Sequence, residues 1–267
     1  MKKSFYVEKF LNKYPHIKKT MEVQNIDLCK LKEIYDDYID YKDSYENQAN
    51  FIANILRSHD MIHSVKSRIK EPDRLIEKII RKTEDRREKY GSDFEFTVDN
   101  YKDQINDLIG IRVIHIFKDQ WQEIHEYIIK TWKVIEITAN VREGDNTDIF
   151  KDLNIEVRSR ASGYRSVHYL VELNFTKQDK TIVEIQVRTI FEEGYGEIDH
   201  ILRYSHNEIP KILASNLLLF NRIVGSADEM ASLINVLNQK EQEYQDTIES
   251  QKKEIELLKK SLLREEC

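Results

Sequence analysis

Residues 161–189 read ASGYRSVHYLVELNFTKQDKTIVEIQVRT, and most of this stretch is two strands joined by a polar turn. From Ser166 to Phe175, Val167, Tyr169, Val171, Leu173 and Phe175 alternate with Ser166, His168, Leu170, Glu172 and Asn174. From Ile182 to Arg188, Val183, Ile185 and Val187 alternate with Ile182, Glu184, Gln186 and Arg188. A period of two places one set of each strand on a core and the other set on the opposite face. An uncovered face usually carries Thr, Lys and Ser. This one carries His168, Glu184, Gln186 and Arg188, with Tyr164 and Arg165 just upstream behind Gly163.

Working outward, the flanking elements make an α/β core of roughly 65–205. LIGIRVIHIF (108–117) is rich in β-branched residues and predicts a strand. QWQEIHEYIIKTW (120–132) predicts a helix, KVIEITA (133–139) a strand, VREGDNTDIFKD a polar excursion, and LNIEVRS (153–159) a short strand. Before the core, residues 1–62 carry apolar residues at helical spacing, among them Leu28, Leu31, Ile34, Tyr35, Tyr38 and Ile39. Pro15 is expected to separate a short first helix from a long second one. Pro72 opens another helix, with Leu75, Ile76, Ile79 and Ile80 on its buried stripe and Gly91 at its end. From Ile209 the chain returns to helix. There Ile248, Ile255 and Leu262 are seven apart, and Leu258 follows Ile255 by three. The expected organisation is a helical segment 1–62, a core 63–206 and a helical extension 207–267 that offers a stripe for homo-oligomer formation.

The chain of 267 residues is 34% charged, with 7 Gly and 3 Pro, which suits much helix and few long loops. A net charge of -6 argues against wholesale electrostatic binding of nucleic acid and leaves room for a local basic groove. Cys29 and Cys267 provide neither a disulfide framework nor zinc spacing. The N-terminus lacks the apolar core of a signal peptide, and no run reaches the length of a membrane span. The expectation is a cytoplasmic protein without membrane association.

Several residues could do chemistry. Lys66, Arg68, Lys70, Arg74, Lys78, Arg81 and Lys82 cluster around the start of the Pro72 helix. Lys78 and Arg81 are three apart and share a helix face. Cations converging on a helix N-terminus can hold a polyphosphate; with Glu71, Asp73, Glu77 and Glu84 interleaved, they could equally form a solvated face. Asp107 stands just before a buried strand, as a turn residue or a ligand. Glu184 lies mid-strand, where an unpaired charge is costly, so it either pairs with Arg188 or Arg112 or serves a site. Two carboxylates from neighbouring strands can hold Mg2+ against phosphates. Tyr164 can stack on a base or pack on the sheet edge, and Arg160 and His168 have similarly ordinary alternatives.

Taken in order, SRIK…P…EK, DLIGIRVI, SGYRSVHYLVEL and VEIQVRT…E.DH closely resemble the synthetase domain of RelA/SpoT-type alarmone synthetases, over about residues 45–205. The resemblance implies a nucleotidyltransferase-like mixed sheet of about five strands flanked by helices. It implies transfer of the β,γ-pyrophosphate of ATP to the 3′-hydroxyl of a guanine nucleotide (GTP or GDP), giving (p)ppGpp and AMP, with Mg2+. By motif match, Arg68 and Lys70 would hold the adenine and phosphates of ATP, with Lys78 and Arg81 on the phosphates. Asp107 would bind the metal, and Glu184 would assist it or act as base. Tyr164 would stack on the acceptor base, Arg160 and His168 would contact its phosphates, and Gln186 and Arg188 would complete the wall.

The match departs in two places. His59-Asp60 and Glu84-Asp85 are similar to the HD…ED pattern of the family's hydrolase domain, but they lie in charge-rich helices and are expected to be ordinary surface residues. IFEEGYGEIDHILRY follows the Arg-Thr pair where many small synthetases carry a Met- and Trp-containing stretch. That difference implies a divergent branch, some of whose members resemble toxins acting on adenine nucleotides or the tRNA 3′-CCA end. A third alternative is an inactive nucleotide-binding scaffold. RKTEDRREK (81–89) mixes both signs, which favours a small-nucleotide acceptor over tRNA.

Overall fold

The computed structural model describes residues 5–174, 180–205 and 209–265. Three helices lead: α1 (Val7–Lys13), α2 (Pro15–Gln24) and α3 (Leu28–Arg57). Pro15 stands in the first turn of α2, where its missing N–H leaves no bond unmade. Asn25, at φ 48°, then ends that helix in the left-handed region. The long helix is therefore the third rather than the second. Asp27 caps it, its carboxylate accepting from the Cys29 N–H at 2.8 Å.

The remaining elements are β1 (Ser64–Ile69), α4 (Pro72–Tyr90), α5 (Tyr101–Gln104), β2 (Ile109–His115), a 3-10 turn (Lys118–Gln120), α6 (Trp121–Thr131), β3 (Lys133–Val141), α7 (Asp148–Asp152), β4 (Glu156–Ser159), β5 (Ser166–Asn174), β6 (Lys180–Thr189), α8 (Ile190–Ser205) and α9 (Lys211–Glu265). The strands form one mixed sheet in the order β1-β2-β6-β5-β3-β4. Pairs β2/β6 and β3/β4 are parallel and the rest antiparallel. Six strands stand where about five were expected. The sixth is β1, which in sequence looks like an extended approach to α4 and in space pairs with β2 from Ser64↔Ile114 to Ile69↔Ile109. The polar excursion contains the single turn α7, and Phe175 lies outside the described residues.

The alternation of β5 and β6 sorts as the sequence requires. Val167, Tyr169, Val171, Val183, Ile185 and Val187 are buried on one face with Ile109, Ile111 and Val113 of β2. α3 and α6 cover that face, contributing Leu31, Ile34, Tyr38, Ile52, Leu56, Ile124 and Ile128 to the same core. Helix α4 joins it through Leu75, Ile76, Ile79 and Ile80. The expected boundary at 62/63 thus falls between α3 and β1, two elements that share this core, and the boundary at 206/207 falls outside the described residues. No helix among the described residues is long and apolar enough to cross a membrane.

Candidate functional site

The other sheet face is a polar platform whose rows follow from register. Arg68, Gly110, Glu184, Leu170 and Glu136 occupy one row across β1, β2, β6, β5 and β3. Lys66, Arg112, Gln186, His168 and Thr138 occupy the next. Gly110 leaves the first row open. A Cβ there would sit 3.5 Å from Arg68 Nε, so the Arg68 side chain lies directly over the glycine.

Glu184 belongs to a closed ring of hydrogen bonds. Arg188 Nη2 donates to Tyr164 OH at 2.6 Å, and Tyr164 OH meets His168 Nε2 at 3.1 Å. His168 Nδ1 lies 3.2 Å from Glu184 Oε1, and Gln186 Nε2 donates to Glu184 Oε2 at 2.7 Å. Arg188 Nη2 closes the circuit on Gln186 Oε1 at 2.5 Å. Burial alone would raise the Glu184 pKa. The hydrogen bond and charge of His168, together with the Gln186 amide, outweigh it and hold the carboxyl below its ordinary value. Fixing both oxygens at once is what a ligand or a proton acceptor needs.

Asp107, two residues before β2, sits between two ammonium groups: Lys70 Nζ at 2.6 Å and Lys78 Nζ at 2.9 Å. Burial opposes its ionisation, yet the two lysines keep its pKa lowered, while burial lowers that of Lys70. Asp107 and Glu184 face one cleft of about 490 Å3. The negative charge of each raises the cost of ionising the other, as the Asp107 contribution at Glu184 shows. Around them stand Lys78, Lys82, Arg86 and Lys89 from α4, and Arg158, Arg160 and His168 from the opposite side.

Placement of the expected residues is uneven. Lys78, Asp107, Arg160, His168 and Glu184 line the cleft. Lys70 reaches it through Asp107, and Arg160 is aimed by its Nε bond to Asn140 Oδ1 at 2.6 Å. Tyr164, Gln186 and Arg188 support the wall through the ring; the Tyr164 face packs under the Arg188 guanidinium, 5.1 Å away. Arg81 turns away from the cleft, half-exposed and 3.5 Å from Glu77. The helix face that enters the cleft is instead Lys78, Lys82, Arg86 and Lys89, spaced by four, four and three. Glu84 and Glu88 of RKTEDRREK project to other faces of the helix, while Asp85 falls on the basic face and pairs with Lys82 at 2.6 Å. Reading those charges in a line hides this partial segregation; a helical projection gathers the four cations and leaves Asp85 as the one acid among them.

Glu193 is a residue that sequence reasoning did not assign. Buried in the first turn of α8, it takes Arg188 Nη1 at 3.0 Å, Arg112 Nη1 at 3.2 Å and Lys66 Nζ at 3.2 Å. Glu197 also pairs with Arg112. Gly196 lets this helix lie close, since a Cβ there would come within 2.8 Å of Arg188 Nη1 and 3.7 Å of the Tyr164 ring. The unusual stretch after the Arg-Thr pair therefore holds the cations of the platform. Among the described residues, no group of three or more His, Cys, Asp or Glu gathers as a metal cage, and neither His59-Asp60 nor Glu84-Asp85 forms one. Two carboxylates in a cation-lined cleft suit a metal that arrives with phosphates and keeps several of its own waters.

Three comparisons bear on this arrangement. Residues 67–209 match the sequence model of the family described as the region found in RelA / SpoT proteins. The GTP pyrophosphokinase YwaC of Bacillus subtilis (strain 168) is 26% identical over 180 residues, covering 66% of this chain and 75% of the relative. The crystal structure of small alarmone synthetase 1 from Bacillus subtilis superposes with a TM-score of 0.56 at 22% identity, covering 73% of this chain and 94% of that one. Its complex with its product pppGpp gives 0.55 at 22%, covering 73% and 92%. The fold is shared with these structures.

Proposed function

The chain belongs to the RelA/SpoT family, and from that premise we propose that it is a GTP pyrophosphokinase. It moves the β,γ-diphosphate of ATP to the 3′-hydroxyl of GTP or GDP, giving (p)ppGpp and AMP. The observation that carries this reading is the pairing of Asp107 and Glu184 in one cleft rimmed by cations from both sides. A relative that is a GTP pyrophosphokinase and a similar fold that binds pppGpp support the choice of substrates.

Enzymes of this family use nucleotides and generally need a divalent metal. Here Mg2+ would be held by Asp107 and Glu184, where it would neutralise charge on the transferred phosphates. The chain's own residues do the positioning. Lys70 and Lys78 neutralise Asp107 in the structure, and they would be available to donor phosphates were that carboxylate to hold a metal instead. Arg68, over Gly110 in the Glu184 row, lies on the donor side with them. The acceptor 3′-oxygen attacks the β-phosphorus and the bond from that phosphorus to the α,β-bridging oxygen breaks. AMP leaves with that oxygen, and the hydroxyl proton passes to Glu184 or on to water. A carboxylate held low in pKa is a weak base, so Glu184 contributes mainly by orienting the hydroxyl and balancing charge. Such transfer depends on positioning and electrostatics more than on covalent help. Arg160 and His168 stand on the acceptor side, with Tyr164, Gln186 and Arg188 fixing that wall.

A second reading gains from one observation. Lys82, Arg86 and Lys89 continue the Lys78 row along α4, over about 16 Å from Lys78 to Lys89 at 1.5 Å per residue. Such a row could follow the backbone of an RNA end as well as a 5′-polyphosphate. Incubation with Mg2+ and ATP labelled at the γ-phosphate, with GTP, GDP, no second acceptor or deacylated tRNA in parallel, separates the two. Label in a guanine nucleotide is the expected result. Label in tRNA with none in GTP or GDP replaces the first reading with the second, and label in no acceptor refutes both.

A further inference from the structure

Helix α9 docks only by its first half. Leu217, Asn221, Gly225 and Asp228 are buried there, with Asn221 Nδ2 donating to Gly163 O at 2.9 Å. Ser232 and Asn235 bond to the body, to Lys118 N–H at 3.0 Å and Asp119 at 3.3 Å. From Val236 to Lys260 every residue is exposed. A helix of that length without cover is marginal in water, because most helical stability comes from packing an apolar face. The face exists: Met230, Ile234, Leu237, Tyr244, Ile248 and Ile255 are between 44% and 65% exposed.

We propose that two copies of this chain join along that face as a parallel two-stranded coiled coil. The apolar residues keep a seven-residue repeat, which a straight helix does not follow and a supercoiled pair does. Ile234, Glu241, Ile248 and Ile255 fall at the first core position, and Met230, Leu237, Tyr244 and Gln251 at the second. Branching at Cβ is confined to the first set, with Leu, Met and Tyr in the second. This is the arrangement that favours two parallel strands. The flanking positions agree, since Glu254 of one copy meets Lys259 of the other, and Lys240–Gln245 and Thr247–Lys252 set no like charges together. Glu241 and Gln251 make two polar layers, with Lys240 beside the first on the flank, and such layers specify register at some cost in stability. Eight core positions with their flanks approach the roughly 800 Å2 per partner of a stable interface. The docked residues are a different set, so pairing leaves α9 seated on the body.

The test is the mass of the full chain by sedimentation equilibrium at micromolar concentration. The wild type is expected at twice 31.9 kDa and Ile248→Lys/Ile255→Lys at 31.9 kDa, with the thermal melt of the body unchanged because both residues lie beyond the contacts that seat α9 on it. In a Cys29→Ser/Cys267→Ser background, Gln251→Cys is expected to cross-link almost completely under mild oxidation, since equivalent core positions meet only in a parallel pair. A monomeric wild type, a double variant that keeps the wild-type mass, or a Gln251→Cys protein that stays uncross-linked overturns the proposal.

Discussion

At the scale of single residues, the site works by fixing charges against one another. Glu193 is the clearest instance, because Arg188 is only 3% exposed and depends on it. Glu193→Ala leaves a buried guanidinium without its counter-charge, and the expected cost is about 3–5 kcal/mol. A urea titration reads this as a fall in midpoint with an unchanged slope, and a loss below about 1 kcal/mol contradicts it. How legible such residues are depends on what fixes them. His168, Glu184 and Gln186 stand out in the sequence because period two forces them to one face. Arg188 ends the same alternation. Glu193 does not stand out, because a first-turn glutamate looks like any helix start and its three cations come from β1, β2 and β6. Arg81 and Lys82 show the opposite limit. Both are basic and adjacent, and only the angle of α4 against the sheet decides that Lys82 enters the cleft.

At the scale of elements, β5 and β6 are plain in the sequence because strong alternation and β-branched residues agree. β1 is obscure: SVKSRI has only Val65 and Ile69 as apolar residues, and its strand state depends on pairing with β2 residues 40 to 50 positions later. Helix α8 carries the next prediction. Gly196→Leu places a side chain where a Cβ already meets Arg188 at 2.8 Å. The helix must lift or Arg188 must leave Tyr164, so the variant is expected to lose transfer activity at least tenfold and to melt several degrees lower. Gly194→Leu, two residues earlier with nothing within 4 Å of a Cβ, is the control and should remain near wild type in both. Equal effects of the two substitutions contradict the packing described.

At the scale of the whole molecule, one core unites the N-terminal helices with the sheet, and α9 is added by the apolar contacts of Leu217 and Phe220 together with polar bonds. Its Asp228 is buried, and burial followed by the Glu192 charge raises its pKa to about 7. An acid whose folded pKa is raised stabilises the folded state at low pH and loses that contribution as pH rises towards 7. Thermal stability is therefore expected to fall as pH rises from about 4 to about 7 and to level off above that. Asp228→Asn should flatten that profile and raise the melting temperature at pH 8 by several degrees. A profile unchanged by the substitution contradicts this. The central claim is that the polar face of the sheet performs the transfer. The most direct measurement is the rate of γ-label transfer from ATP to GTP by Glu184→Gln, which keeps the shape and one accepting oxygen but removes the charge. The account predicts a loss of at least about 100-fold, equivalent to about 3 kcal/mol, in a protein whose circular dichroism shows the fold intact. Turnover within a few-fold of wild type would contradict it.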